Sequence, residues 1–248
     1  MIIRKSPDEI RLIREAGCIV AETLRLIEEA IKPGLSTIEL DRMAEGYIKK
    51  RGGRPAFKGY RGFPASVCIS INEGVVHGIP GSRSFKLGDI VSVDVGVEHR
   101  GCYADAAATF PVGDVSPDAK RLIEVTKGAL EKGINMCQVG NHLSDISHAI
   151  QRTAEEAGYS VVREFVGHGI GLSMHEDPQI PNHGEPGRGP RLEEGMTFAL
   201  EPMINIGGHE VKVLPDKWGV VTLDESLSAH FEHTVAITRE GPLILTSL

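Results

Sequence analysis

Ser6-Pro7-Asp8-Glu9-Ile10-Arg11-Leu12-Ile13 recurs 110 residues later as Ser116-Pro117-Asp118-Ala119-Lys120-Arg121-Leu122-Ile123. Each copy reads as the start of a helix. The serine is an N-cap whose hydroxyl can take up an orphan N–H, and the proline sits where a missing N–H costs nothing. Glu9 completes a capping box in the first copy. Ile10, Ile13, Ile19, Leu24 and Ile27 then recur at helical spacing. A second helix follows Gly34 in one copy and Gly140 in the other, ending at Gly52 and Gly158. Farther on, Gly88-Asp-Ile-Val-Ser-Val-Asp94 is matched by Gly195-Met-Thr-Phe-Ala-Leu-Glu201, with a carboxylate six residues after the glycine both times. Tyr103-Ala-Asp105 is matched by His230-Phe-Glu232. One such match could arise by chance, but four in the same order, at offsets of 106 to 127, point to a duplication. The expected architecture is α+β, two halves related by a pseudo-two-fold axis. They would form a single domain over residues 1–248, with halves at about 6–113 and 116–241.

Composition narrows the classes of function. The chain has 248 residues, 27 Lys+Arg against 34 Asp+Glu, and a formal charge of −7. That length is compatible with one or two domains and a full core. A net acidic chain lacks the basic surface that nucleic-acid binding needs, so no direct nucleic-acid function is expected. No apolar run reaches the roughly 18 residues of a membrane span, and Met-Ile-Ile-Arg-Lys-Ser-Pro-Asp-Glu has charges where a signal peptide needs apolar residues. Cys18, Cys68, Cys102 and Cys137 are scattered without a C-x-x-C pair. Neither a zinc knuckle nor a disulfide framework is implied, and a cytoplasmic location is expected.

The duplicated acids point to metal chemistry. In Ile90-Val91-Ser92-Val93-Asp94-Val95-Gly96-Val97, the four valines fill one strand face and leave Asp94 on the other. A hairpin centred between His99 and Arg100 would set Asp94 directly opposite Asp105. Like charges so placed are unfavourable unless a cation lies between them. Their counterparts Glu201 and Glu232 lie in apolar strand text, so four carboxylates would converge near the axis. Two divalent cations would neutralise them. An oxygen-rich set with one imidazole, for which His168 in Gly167-His168-Gly169-Ile170-Gly171 is the candidate, suits Mn, Fe(II), Co or Zn. The zinc-protease H-E-x-x-H signature is absent: neither His175-Glu176 nor His209-Glu210 has a histidine three residues further on.

Val75-Val76-His77-Gly78-Ile79-Pro80, Asp94 with Asp105, Gly167-His168-Gly-Ile-Gly171, Met174-His175-Glu-Asp-Pro178, Leu200-Glu201-Pro202 and Phe231-Glu232-His233-Thr234 together resemble the type I methionine aminopeptidases, in order along the chain. The resemblance implies a pita-bread fold, with the two halves around a curved antiparallel sheet, and removal of the initiator methionine when the second residue is small. It implies Asp94, Asp105, His168, Glu201 and Glu232 as ligands of a dinuclear centre, with Asp105 and Glu232 bridging. It further implies His77, His175 and Glu201 as catalytic residues, and a methionine pocket at Tyr60, Phe63, Cys68 and Trp218. Phe57 stands where a cysteine is common, and Met174 where an aromatic is common. Asn72 and Ser228 match a monovalent-cation site of some relatives. Nascent polypeptide N-termini are the implied partners, with the ribosome a further one, and a monomer is expected. His99, His142, His148, His183 and His209 have no such support and read as surface residues, and Arg51, Arg54, Lys58 and Arg61 as a solvated basic loop. Two other readings compete. Proline-specific relatives carry an added N-terminal domain, for which a repeat opening at Ser6 leaves no room. Inactive binding modules on this fold lose metal ligands that are all present here.

Overall fold

The computed structural model describes residues 2–247. The chain runs through α1 (Pro7–Ala30), α2 (Thr37–Lys50), β1 (Arg54–Pro55), β2 (Val67–Ile71), β3 (Gly74–Val76), β4 (Ile90–His99) and β5 (Cys102–Pro111). The second half has α3 (Pro117–Asn135), α4 (Leu143–Glu156), β6 (Ser160–Val161), β7 (Gly167–Gly169), β8 (Glu176–Ile180) and β9 (Thr197–Leu200). It ends with β10 (Met203–Asn205), β11 (Val211–Val213), β12 (Val220–Thr222), β13 (Ser228–His230), β14 (His233–Thr238) and β15 (Gly241–Ile244).

The helices start and stop where their residues require. The Ser6 hydroxyl accepts from the Glu9 N–H at 3.3 Å, and the Glu9 carboxylate accepts from the Ser6 N–H at 2.7 Å. The Ser116 hydroxyl accepts from Ala119 N–H at 3.2 Å. At the ends of α2 and α4, Gly52 and Gly158 take φ of +79° and +85°. The N–H groups of Gly53 and Tyr159 then reach back to the Ile48 and Ala154 carbonyls, each at 3.0 Å. This closure needs a left-handed residue, which glycine supplies without strain.

α1 lays Ile13, Ala16, Val20 and Ile27 on β4 and β5, against the covered face of Val91, Val93, Val95 and Val97. Each of these isoleucines and valines contributes about 1.5–3 kcal/mol on burial. The arrangement commits the opposite face of β4, with Asp94, to the interior of the molecule. α3 and α4 repeat the packing with Leu122, Leu130, Ile146 and Ile150 against Phe198, Val235 and Ile237. Among the described residues the strands form four sheets, in the orders β1-β4-β2 (with β5 also on β4), β13-β10-β6, β11-β12-β3 and β15-β14-β9-β7-β8. Every pairing is antiparallel.

The halves join where their matched acids lie. Asp105 N–H donates to Thr234 Oγ1 at 3.0 Å, while Glu232 and Ala107 exchange N–H···O bonds of 2.9 and 3.3 Å. At the repeat offset of 127, Asp105 corresponds to Glu232 and Ala107 to Thr234. The contact 105–234 therefore maps onto 232–107 when the halves are exchanged, which is the reciprocity of a two-fold contact.

Two expectations are corrected. The β4–β5 turn lies at Arg100-Gly101, with φ of +54° and +82°, and closes His99 against Cys102. Two central residues at positive φ match the twist of the strands in a two-residue hairpin. Asp94 therefore faces Ala107, and Asp105 faces Gly96, so the two acids are diagonal neighbours and not directly opposed. A shift of two residues keeps both on the same face. Glu201 and Glu232, expected inside strands, instead stand at strand breaks, between β9 and β10 and between β13 and β14. Pro202 cannot donate to a ladder, and the Glu232 N–H is taken by Ala107.

Candidate metal centre and substrate cavity

Five separate segments deliver the acids and the imidazole to one place. Asp105 comes from the middle of β5, with Thr234 Oγ1 donating to its Oδ1 at 3.0 Å. Asp94 comes from β4, and Glu201 from the break before Pro202, where Asn182 Nδ2 donates to its backbone carbonyl at 3.0 Å. Glu232 comes from the β13–β14 break. His168 rides on β7, which is held so tightly between β8 and β9 that a Cβ on Gly169 would collide with the Asp177 carbonyl. The His168 Nδ1 lies 2.9 Å from the Gly169 carbonyl. A carbonyl can only accept, so Nδ1 carries the proton and Nε2 is left facing the acids. Nε2 is 3.5 Å from Asp105 Oδ2 and 3.6 Å from Glu201 Oε1. Ligand atoms of Asp105, His168 and Glu232 all lie within 4.8 Å of one another.

Electrostatics explains what this cluster requires. Burial pushes Asp94, Glu201 and Glu232 well above the ordinary carboxylate range, and the charge of Asp105 pushes each further. Asp105 is also raised by burial, a shift moderated by His168 and by the Thr234 hydroxyl. Asp94 Oδ1 is buried without a hydrogen-bond partner. A buried acceptor left unpaired is costly and calls for a ligand. Four acids that cannot all ionise together, one orphan oxygen and one lone-pair nitrogen fit divalent cations, which supply the missing positive charge.

A cavity of about 140 Å³ opens onto the cluster. Its wall holds Phe57, Tyr60, Phe63, Cys68, His77, Met174, His175 and Trp218, with all five candidate ligands. Phe63 meets Trp218 edge-on at 5.1 Å, and Tyr60 stacks on the His175 ring at 5.2 Å. Phe57 is seated over Gly96, where an added Cβ would come within 2.5 Å of its ring. His77 holds a strained φ of +58° and stands edge-on to Phe165 and Trp218. Burial lowers its pKa. Burial, with the charges of His168, Arg61 and His77, presses His175 down to about 3. Both rings are therefore neutral at pH 7, each with one N–H to donate.

Sequence reasoning missed two residues here. Arg61 lines the cavity and lies over the Tyr60 ring at 5.4 Å, and Thr234 anchors Asp105. The Tyr60-Arg61 adjacency was a usable signal for the first, and the repeat offset, which pairs Thr234 with Ala107, for the second. Arg51, Arg54 and Lys58 are paired with Glu22, Glu98 and Glu45. The five histidines read as surface residues are only half exposed, with His99 bound to the Gly52 carbonyl and His148 to that of Gly184, and none lines the cavity. Asn72 and Ser228 lie outside it. They are joined by a 2.9 Å backbone bond, and the Asn72 side chain is engaged with Asp89 and the Ile90 N–H.

A duplicated α+β frame that brings buried acids and an imidazole to an open cavity defines a metal-dependent hydrolase. Metallopeptidase family M24 matches residues 11–239. The chain is 55% identical over 246 residues to methionine aminopeptidase 1 of Bacillus subtilis, covering 99% of both chains. It superimposes on the crystal structure of methionine aminopeptidase from Thermotoga maritima with a TM-score of 0.99 at 48% identity, covering both chains fully. The prolidase of Pyrococcus horikoshii shares the fold at 24% identity and a TM-score of 0.81, and the chain covers 64% of it. The chain belongs to metallopeptidase family M24 and has its pita-bread fold.

Proposed function

We propose that the protein removes the N-terminal methionine from nascent proteins and peptides whose second residue is small. The observation that carries this reading is one apolar cavity, sized for a single side chain, ending on the acid–imidazole cluster. Likeness along the whole chain to methionine aminopeptidases supports it.

Asp94, Asp105, His168, Glu201 and Glu232 would hold two divalent cations. Such ions supply Lewis acidity for the scissile carbonyl and lower the pKa of the attacking water. Co, Mn, Fe(II) and Zn all suit the donor set.

The protein's own groups do the rest. Glu201, at the edge of the cluster, takes the water proton and returns it to the leaving nitrogen. Neutral His175 donates its N–H to the oxygen on which charge develops. Neutral His77, across the cavity, contacts the substrate amide and the leaving nitrogen. Phe57, Tyr60, Phe63, Cys68, Met174 and Trp218 receive the methionine side chain and exclude water. One methylene changes binding by only about 1–3 kcal/mol in such a pocket, so depth must reject shorter and branched residues.

The protein would act in the cytoplasm as a monomer; among the described residues no helix is long and apolar enough to cross a membrane. Docking on the ribosome rests on the resemblance alone, as does a monovalent cation beside Asn72 and Ser228. The test is a peptide panel with Mn(II) or Co(II). Methionine should be released from Met-Gly-Met, while Leu-Gly-Met and Met-Lys-Met should be spared. Equal cleavage of the leucine peptide sinks the methionine-specific reading.

A further inference from the structure

The loop between β7 and β8 carries Met174 and His175 into the cavity, yet it has little regular structure of its own. Its geometry comes from Glu176. The Oε1 of Glu176 accepts from the backbone N–H groups of Leu172 at 2.7 Å and Ser173 at 3.0 Å. The Oε2 is paired with the ammonium of Lys5, and both side chains are almost wholly buried, at 1% and 5% exposure. Lys5 lies 171 residues away in sequence, in the segment ahead of α1. That segment is itself anchored, since Lys5 N–H donates to the Gly195 carbonyl at 2.7 Å. The stem of Lys5 crosses over Gly171, where an added Cβ would come within 2.7 Å of Lys5 Cε. The Gly171 carbonyl in turn accepts from Tyr103 N–H on β5 at 2.7 Å.

An ion pair this buried is poor at adding stability compared with apolar residues of the same size, and losing one partner leaves a stranded charge. Its use here is positional. We infer that Lys5 is a positioning residue for the reaction: through Glu176 it fixes the 171–175 loop and thereby sets the His175 ring against Tyr60 and beside the metal ligands. The His175 ring has Tyr60 stacked on it and the His168 ring centred 4.2 Å away, but neither contact fixes the backbone that carries it. The Glu176 bonds do. The N-terminal segment is thereby part of the working site, although no atom of it lines the cavity.

This inference rests on the proposed role of His175, and the test separates the two. Lys5→Met, the double variant Lys5→Met/Glu176→Gln, His175→Ala and Lys5→Met/His175→Ala are assayed on Met-Gly-Met with saturating Mn(II), alongside thermal melting. Lys5→Met is expected to lose about 10- to 100-fold in kcat, the scale of a misplaced catalytic group, with KM moving less than about threefold. The double variant removes the stranded charge, so its Tm should return toward the parent while kcat stays low. It also serves if Lys5→Met alone does not fold. In the Lys5→Met background, His175→Ala should cost far less than it does in the parent. A parent-like kcat in folded Lys5→Met, or joint recovery of Tm and kcat in the double variant, overturns the clamp. So does full multiplication of the two single losses. Full activity in His175→Ala overturns the His175 role, and the clamp with it.

Discussion

Exchanging Glu232 for glutamine removes one negative charge from the cluster while keeping its shape, and the outcome should reverse with metal. Glu232 is repelled by Asp105, Asp94 and Glu201. Its ligand atom lies within 4.8 Å of that of Asp105. At that separation and an effective dielectric of about 20, two ionised carboxylates repel by about 3.5 kcal/mol. In the metal-free protein, proton uptake relieves part of this, so Glu232→Gln should stabilise by about 1–3 kcal/mol. For a chain of this length 1 kcal/mol corresponds to about 2–4 °C, and the metal-free variant should melt roughly 2–12 °C above the parent. Saturating Mn(II) should raise the parent strongly, because binding to the folded state alone stabilises it. The variant, short of one ligand, should gain much less. The assay is thermal melting at pH 7.5 in chelator and in Mn(II). A variant that melts below the parent in chelator and gains equally from Mn(II) would refute the reasoning, because Glu232 would then be neither repelled nor a ligand.

Three further outcomes follow from the geometry. The His175 pKa of about 3 lies below that of a free imidazole. The ring is charged only below about pH 3 and neutral above it, so its NMR resonances in the metal-free protein should not titrate between pH 5.5 and 8.5. A midpoint near 6.5 would show that burial does not hold the ring neutral. Gly96→Ala should drive the Phe57 ring into the cavity and raise KM for methionyl peptides, and Phe57→Ala in that background should reverse much of the rise. An unchanged KM in the single variant contradicts the seating of Phe57 on Gly96. Gly169→Ala should destabilise by about 1–3 kcal/mol through the clash with the Asp177 carbonyl; a melting temperature unchanged from the parent removes close packing as the reason for that glycine.

The parts legible in the sequence were those set by local chemistry. Caps at Ser6 and Ser116 and left-handed closures at Gly52 and Gly158 declare themselves by residue type. The alternation of Val91 to Val97 separated the core face from the face of Asp94, and the repeat brought Glu201 and Glu232 into view as counterparts. The β4–β5 register was misread because it depends on which two residues adopt positive φ, and Arg100 gives no compositional hint that it does. The strand break at Glu232 is hidden in the sequence because the Ala107 carbonyl that takes its N–H lies 125 residues away, whereas the break at Glu201 is marked by the adjacent Pro202. Lys5 acts through its contact with Glu176 across the fold, which spacing along the chain does not encode.

The decisive measurement is methionine release from Met-Gly-Met by chelator-stripped protein titrated with Mn(II), run in parallel on the parent and on His168→Ala. A centre built from the acids and His168 predicts no turnover in chelator, saturable recovery in the parent, and a greatly weakened response in the variant. Full turnover in chelator, or the same Mn(II) titration in both proteins, would contradict it.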